Sequence, residues 1–104
     1  MIEVLGRIER YTVEGRDRFL SDEKTQDAVI RNYEIIGEVA KRLSSAVRDS
    51  APEIDWKQLI GFRDFLAHNY DEIIIDFVWE AVADLPDLRE RIEKLIQSLT
   101  DDHS

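Results

Sequence analysis

The chain has 104 residues, of which 43% are hydrophobic and 36% charged, enough for one modest core in a single globular domain but not for two. It holds no cysteine, which excludes disulfide scaffolding and thiolate metal sites and fits a reducing compartment. Its net charge of −9 argues against tight binding of long duplexes by electrostatics alone.

The charge is unevenly spread. Residues 1–63 carry 11 Lys/Arg against 12 Asp/Glu, whereas residues 64–104 carry 3 against 11. The C-terminal acids read as a solvated helix face, and the nearly balanced N-terminal part leaves room for a local cation cluster. Glu3, within residues 1–5, interrupts what would be the apolar core of a signal peptide. No apolar run exceeds three residues, as in Ile73-Ile74-Ile75, which is too short to span a bilayer. A cytoplasmic, soluble protein with no membrane association is expected.

Residues 2–14 place Val4, Leu5, Ile8 and Tyr11 at helical spacing before Gly15 breaks the pattern. A turn over residues 16–20 leads to Ser21 and Asp22, either of which is suited to N-cap a long second helix. That helix is expected to run to about Arg48, with Ala28, Val29, Asn32, Ile35, Ile36, Val39, Ala40, Leu43 and Val47 in one stripe. At about 26 residues it would be about 40 Å long and form the spine of the domain. Gly37 inside it costs about 1 kcal/mol relative to alanine, which points to a neighbouring backbone passing close by.

Residues 49–54 form a loop. Asp55 is placed to cap a third helix starting near Trp56, with Gln58 at the reciprocal position of a capping box. Asp71 is placed to cap a fourth, bearing Ile74, Ile75, Phe77, Val78, Ala81, Val82 and Leu85. Pro86 lacks an amide hydrogen and either kinks this helix or opens a fifth, along which Leu88, Ile92, Leu95, Ile96 and Leu99 keep the apolar spacing. The pattern predicts an all-α antiparallel bundle of four to five helices, with residues 1–100 as one domain and residues 101–104 as a frayed acidic tail.

The last turns of the third helix concentrate the chemistry. Arg63-Asp64-Phe65-Leu66-Ala67-His68-Asn69-Tyr70 contains one of only two histidines in the chain, in the order Arg-x4-His-x-Tyr. Arg63 supplies a permanent cation able to hold a phosphate in a bidentate fork, and His68 a group for proton transfer. Tyr70 can donate to a phosphoryl oxygen or stack on a base. Asp64, four residues before His68, and the helix C-terminus both favour the imidazolium. On an ideal helix, however, Arg63 and Tyr70 lie about 20° apart while His68 points about 140° away from Arg63. Convergence therefore needs either an unwound turn at residues 67–69 or a second protomer across a two-fold axis. An arginine, histidine and tyrosine at a helix end also serve, in many bundles, only to cap carbonyls.

Several segments in order resemble the HepT-type toxins of the HEPN superfamily, over residues 19–88. Residues 30–43, Ile-Arg-Asn-Tyr-Glu-Ile-Ile-Gly-Glu-Val-Ala-Lys-Arg-Leu, resemble the family's long-helix signature. Pro52 to Trp56 resembles its proline-to-tryptophan loop, Arg63 to Tyr70 its Arg-x4-His-x-Tyr motif, and Val78-Trp79 its next helix. The resemblance implies an all-α homodimer whose paired motifs form a metal-independent endoribonuclease at the dimer interface, with no cofactor. It implies that Arg63 binds the scissile phosphate and that His68 performs acid–base work on the ribose 2′-hydroxyl, leaving a 2′,3′-cyclic phosphate and a 5′-hydroxyl. It further implies that Tyr70 is AMPylated by a cognate MntA-type nucleotidyltransferase antitoxin in a type VII toxin–antitoxin pair, in a complex that can be a larger hetero-oligomer. Negative charge and bulk added there would obstruct an anion cleft. The alternative is a non-catalytic nucleotide-binding or substrate-selecting subunit for such a transferase.

Supporting candidates are Asn69, which can orient a phosphate; Asn32, a polar group on an apolar stripe that needs a partner; and Glu38, which can orient Arg63 or His68. Arg31, Lys41 and Arg42 either guide RNA or are solvated helix charges. Trp56 and Trp79 read as core or interface aromatics. No metal site is expected, since His103 and the Asp101-Asp102 pair lack a coordinating frame.

Overall fold

The long apolar stripe of the sequence becomes the spine of the fold. The computed structural model describes residues 1–68 and 75–101, among which there are seven helices and no strand. They are α1 (Ile2–Tyr11), α2 (Arg16–Ser21), α3 (Glu23–Arg42), α4 (Ser45–Asp49), α5 (Trp56–His68), α6 (Ile75–Ala83) and α7 (Leu85–Asp101). This is the all-α bundle expected, with five longer helices and two short ones. None of the described helices is long and apolar enough to cross a membrane.

Local chemistry sets most boundaries. Asp22, not Ser21, caps α3: its Oδ1 accepts from the Lys24 and Thr25 amides at 3.1 and 3.4 Å. Asp55 Oδ1 accepts from the Gln58 amide at 2.9 Å at the start of α5. The Trp56 indole donates to the carbonyls of Arg48 and Ala51 at 3.1 and 3.2 Å, tying the loop before α5 to its own helix. Pro86 sits in the first turn of α7, where its missing amide hydrogen costs nothing, so the two C-terminal helices are separate.

Two boundaries depart from the sequence pattern. The second long helix stops at Arg42, well short of Arg48, because Leu43 turns to extended backbone and the Ser44 hydroxyl accepts from the Val47 amide at 3.2 Å, starting α4 afresh. Residues 16–21 are helical rather than a turn. Gly15, at φ 91°, makes the bend, and Phe19 is buried against Trp79 with ring centroids 5.3 Å apart. A helix of six residues is marginal alone, so this tertiary anchor stabilises it. The capping role expected of Asp71 falls outside the described residues, as do residues 102–104 of the expected tail 101–104, whose first residue, Asp101, still belongs to α7.

α3 packs between α1 and α5, α7 lies against α1, and α6 contacts α2 and α7. Val29, Ile36 and Ala40 of α3 meet Leu5 and Ile8 of α1, Leu66 of α5, Val78 of α6 and Ile92 of α7 in one buried core. Ile30 and Tyr33 are buried as well, so the apolar face of α3 is wider than its stripe suggested, with helices on two sides. Ion pairs join Arg16 to Asp76 at 3.1 Å and Arg89 to Glu9, linking α2 to α6 and α1 to α7.

Candidate functional site

The site begins with a glycine. Gly37 is buried in α3 facing α5, and a Cβ built there would overlap the Cβ of Arg63 and stand 2.8 Å from its Cγ and 2.9 Å from the Leu59 carbonyl oxygen. The close approach expected from an otherwise costly glycine is therefore made by α5, and by the arginine of the motif itself. Only a residue without a side chain lets the two helices meet here.

That contact aims Arg63. Its two terminal nitrogens donate separately, one to Glu38 Oε2 at 2.9 Å and the other to Asp64 Oδ1 at 2.9 Å. Glu38 also accepts from Arg42 through Oε1 at 3.2 Å, so one carboxylate of α3 bridges two cations. Hydrogen bonding from Asp64, and the nearby charge of Glu38, hold the Arg63 guanidinium above its already high ordinary value, so it stays charged. Asp64 thus turns its carboxylate to Arg63 and not to the imidazole. What His68 receives from Asp64 is the main chain: its Nδ1 lies 2.7 Å from the Asp64 carbonyl oxygen. A carbonyl can only accept, so Nδ1 is the donor. The neutral ring then carries its free lone pair on Nε2, the atom that points away from the helix.

α5 is unbroken through His68. The unwinding that would have turned His68 back towards Arg63 is absent at Ala67 and His68. Arg63 faces α3 and is 28% exposed at its side chain, whereas His68 is exposed to solvent. One chain therefore presents the two groups in different directions along a continuous helix, as the helical period predicts. Asn69 and Tyr70 lie outside the described residues.

The other candidates sit apart. Asn32 is buried; its Nδ2 donates to the Ala28 carbonyl at 2.7 Å while its Oδ1 has no partner. That back-bond within α3 is a structural contact. Arg31 pairs with Glu34 at 3.6 Å, one turn along its own helix. Trp56 is buried and Trp79 packs on Phe19, so both serve the core. Among the described residues no group of three or more His, Asp or Glu is arranged to hold a metal ion. The Glu38–Arg42 link was legible as a favourable spacing of four on one helix. Of the two partners named for Glu38 from the sequence, Arg63 and His68, the structure pairs it with Arg63, 25 residues away.

Residues 1–95 match the family described as Ribonuclease HepT-like. A protein of Thermococcus cleftensis named probable ribonuclease HepT is 40% identical over 95 residues, covering 89% of this chain and 86% of its own length. A Methanocaldococcus jannaschii protein, named as a gamma-glutamylcyclotransferase and candidate RNase, is 38% identical over 101 residues. The match covers 95% of this chain but only 46% of that relative, so the chain spans less than half of it. A candidate RNase of the same organism is 38% identical over 84 residues, covering 80% of this chain and 69% of its own length. No solved structure matches the chain.

Proposed function

The chain belongs to the HepT-like family of the HEPN superfamily, and on that premise we propose that it is a metal-independent endoribonuclease, the toxin of a type VII toxin–antitoxin pair in the cytoplasm. The relatives named as ribonucleases support RNA as the substrate class. Residues 1–100 act as one domain, and the working unit is a homodimer. The observation that carries the dimeric site is the divergence of Arg63 and His68 on an unbroken α5. A two-fold partner supplies across the interface the group that one helix cannot bring round.

In this reading Arg63 holds the scissile phosphate and stabilises the charge that develops on it. His68 Nε2 takes the proton of the ribose 2′-hydroxyl; the 2′-oxygen attacks phosphorus and the bond to the 5′-oxygen breaks. The His68 of the second protomer protonates the leaving 5′-oxygen, giving a 2′,3′-cyclic phosphate and a 5′-hydroxyl. Glu38 and Asp64 orient Arg63, Asn69 helps place the phosphate, and Asn32 supports the helix behind it. Tyr70 is the residue to which a MntA-type nucleotidyltransferase antitoxin adds AMP, silencing the cleft by bulk and charge.

A second reading, a non-catalytic nucleotide-binding or substrate-selecting subunit of the transferase, is favoured by one specific observation. Both terminal nitrogens of Arg63 are already engaged by carboxylates, in a chain of net charge −9. Expression without the transferase separates the two. The nuclease reading predicts growth arrest with RNA cleavage, abolished by Arg63→Ala or His68→Ala. Unchanged growth, with no cleavage by purified dimer whose intact mass shows no AMP, overturns it.

A further inference from the structure

A cleft of about 730 Å³ opens between α5 and the corner where α6 meets α7, and Arg63 is not in its lining. Small-ligand sites commonly measure about 300–1,000 Å³. Its floor is aromatic: Tyr33 of α3 meets the Phe62 ring edge-on, with centroids 5.4 Å apart, and Phe77 stands 52% exposed in the lining. Glu80, Asp84 and Asp87 line the same cleft. The Asp84 amide donates to the Glu80 carbonyl at 3.2 Å, and the Leu88 amide to the Asp84 carbonyl at 3.2 Å. Asp84 thus closes α6 and opens α7, with Glu80 four residues before it and Asp87 three residues after it. Asp87 is paired with Arg91 at 3.3 Å; among the described residues no ion pair engages Glu80 or Asp84. Like charges one turn apart repel, and Arg91, the one cation among the described residues of the cleft lining, pairs with Asp87 and leaves Glu80 and Asp84 without one.

An independent observation points to the same missing group. Tyr33 is only 3% exposed and lines the cleft, yet its hydroxyl has no hydrogen-bond partner. Buried phenols almost always find one. Asp84 lines the same cleft, and its negative charge adds to burial in raising the phenol's pKa. An ammonium, with three donors and no acceptor, satisfies the phenolic oxygen and the carboxylate at once.

We propose that this cleft binds a linear aliphatic oligoamine, its ammonium groups seated along Glu80, Asp84 and Asp87 and its methylene chain lying over Phe62 and Phe77. Trimethylene and tetramethylene spacers set neighbouring ammonium groups one helical turn apart, about 5–6 Å, and a methylene chain suits an aromatic lining.

The test is calorimetric titration of spermidine into the purified full chain at physiological salt, with circular dichroism to show that each variant is folded. Saturable binding of one spermidine per chain is expected. The double substitution Glu80→Gln/Asp84→Asn should weaken it about tenfold or more, and Tyr33→Phe severalfold. The double substitution Glu3→Gln/Asp17→Asn, which removes the same charge elsewhere, should leave the affinity unchanged, and magnesium at equal ionic strength should not displace the amine. No saturable binding to folded protein, equal weakening by both double substitutions, or displacement by magnesium would overturn the proposal.

Discussion

Gly37 and Arg63 compete for one position in space: a Cβ on the glycine would overlap the Cβ of the arginine. The family motif on α5 is thus seated by a residue on α3 that offers no side chain. Gly37→Ala gains about 1 kcal/mol in helix propensity. It must also push α5 outward, because the Leu59 carbonyl 2.9 Å away is backbone and cannot swing aside. Overpacking of this kind costs about 1–3 kcal/mol, so net destabilisation is expected in urea denaturation, together with weaker RNA cleavage. A variant more stable than the parent would show that the helices are not in contact there.

Glu38 tests the aim of Arg63 apart from its charge. The pair is partly exposed, at 28% and 40%, so Glu38→Ala should move the melting midpoint little. Loss of orientation should lower single-turnover RNA cleavage by about 10- to 100-fold. RNA affinity should hold or rise, since a negative charge has left the cleft, and Glu38→Gln, which keeps an acceptor, should recover part of the rate. An unchanged rate would reduce Glu38 to a surface partner of Arg42.

The fold was legible where a boundary has a local chemical cause. Asp22, Asp55 and Pro86 carry their signals in their own side chains, and the structure places helix starts at or beside each. The short helix around Phe19 was not legible, because its stability comes from Trp79, 60 residues away in sequence. The break at Leu43 was masked by an apolar stripe that continues across it. At the site, helical period alone showed that Arg63 and His68 diverge. The turning of Asp64 towards Arg63 could not be read, because carboxylate and imidazole also have a favourable spacing and only the seating of Arg63 against Gly37 decides between them.

Acid should expose the cap of α3. Hydrogen bonding from Thr25 is the largest influence on Asp22, with Arg18 and the Lys24 amide adding to it, and together they outweigh desolvation to lower its pKa below the ordinary 3.8. A carboxylate depressed on folding contributes stability that is present above its unfolded value and lost as pH falls through the lower folded one. Asn is an equally good cap that does not titrate in this range. The difference in melting midpoint between the parent and Asp22→Asn should therefore be constant from neutrality down to about pH 5 and shift against the parent below about pH 4. Parallel curves to pH 2 would mean that the cap is not charge-assisted.

At the alkaline end the governing residue is Tyr33. Burial first, and then the negative charge of Asp84, push its phenol well above the ordinary 10. A group whose pKa rises on folding contributes stability that is intact below its unfolded value and lost as pH climbs towards the folded one, because only the unfolded chain can release the proton. From about pH 10 upward the parent should lose about 1.4 kcal/mol per pH unit through this residue alone. Tyr33→Phe keeps the ring against Phe62 and deletes a hydroxyl that has no partner, so at neutral pH it should be within about 1 kcal/mol of the parent. Its stability should then fall less steeply in alkali. Denaturation curves at pH 7, 10 and 11 decide the matter: a marked loss at pH 7 would mean that the hydroxyl is bonded, and equal alkaline slopes would mean that the phenol ionises freely in the folded protein.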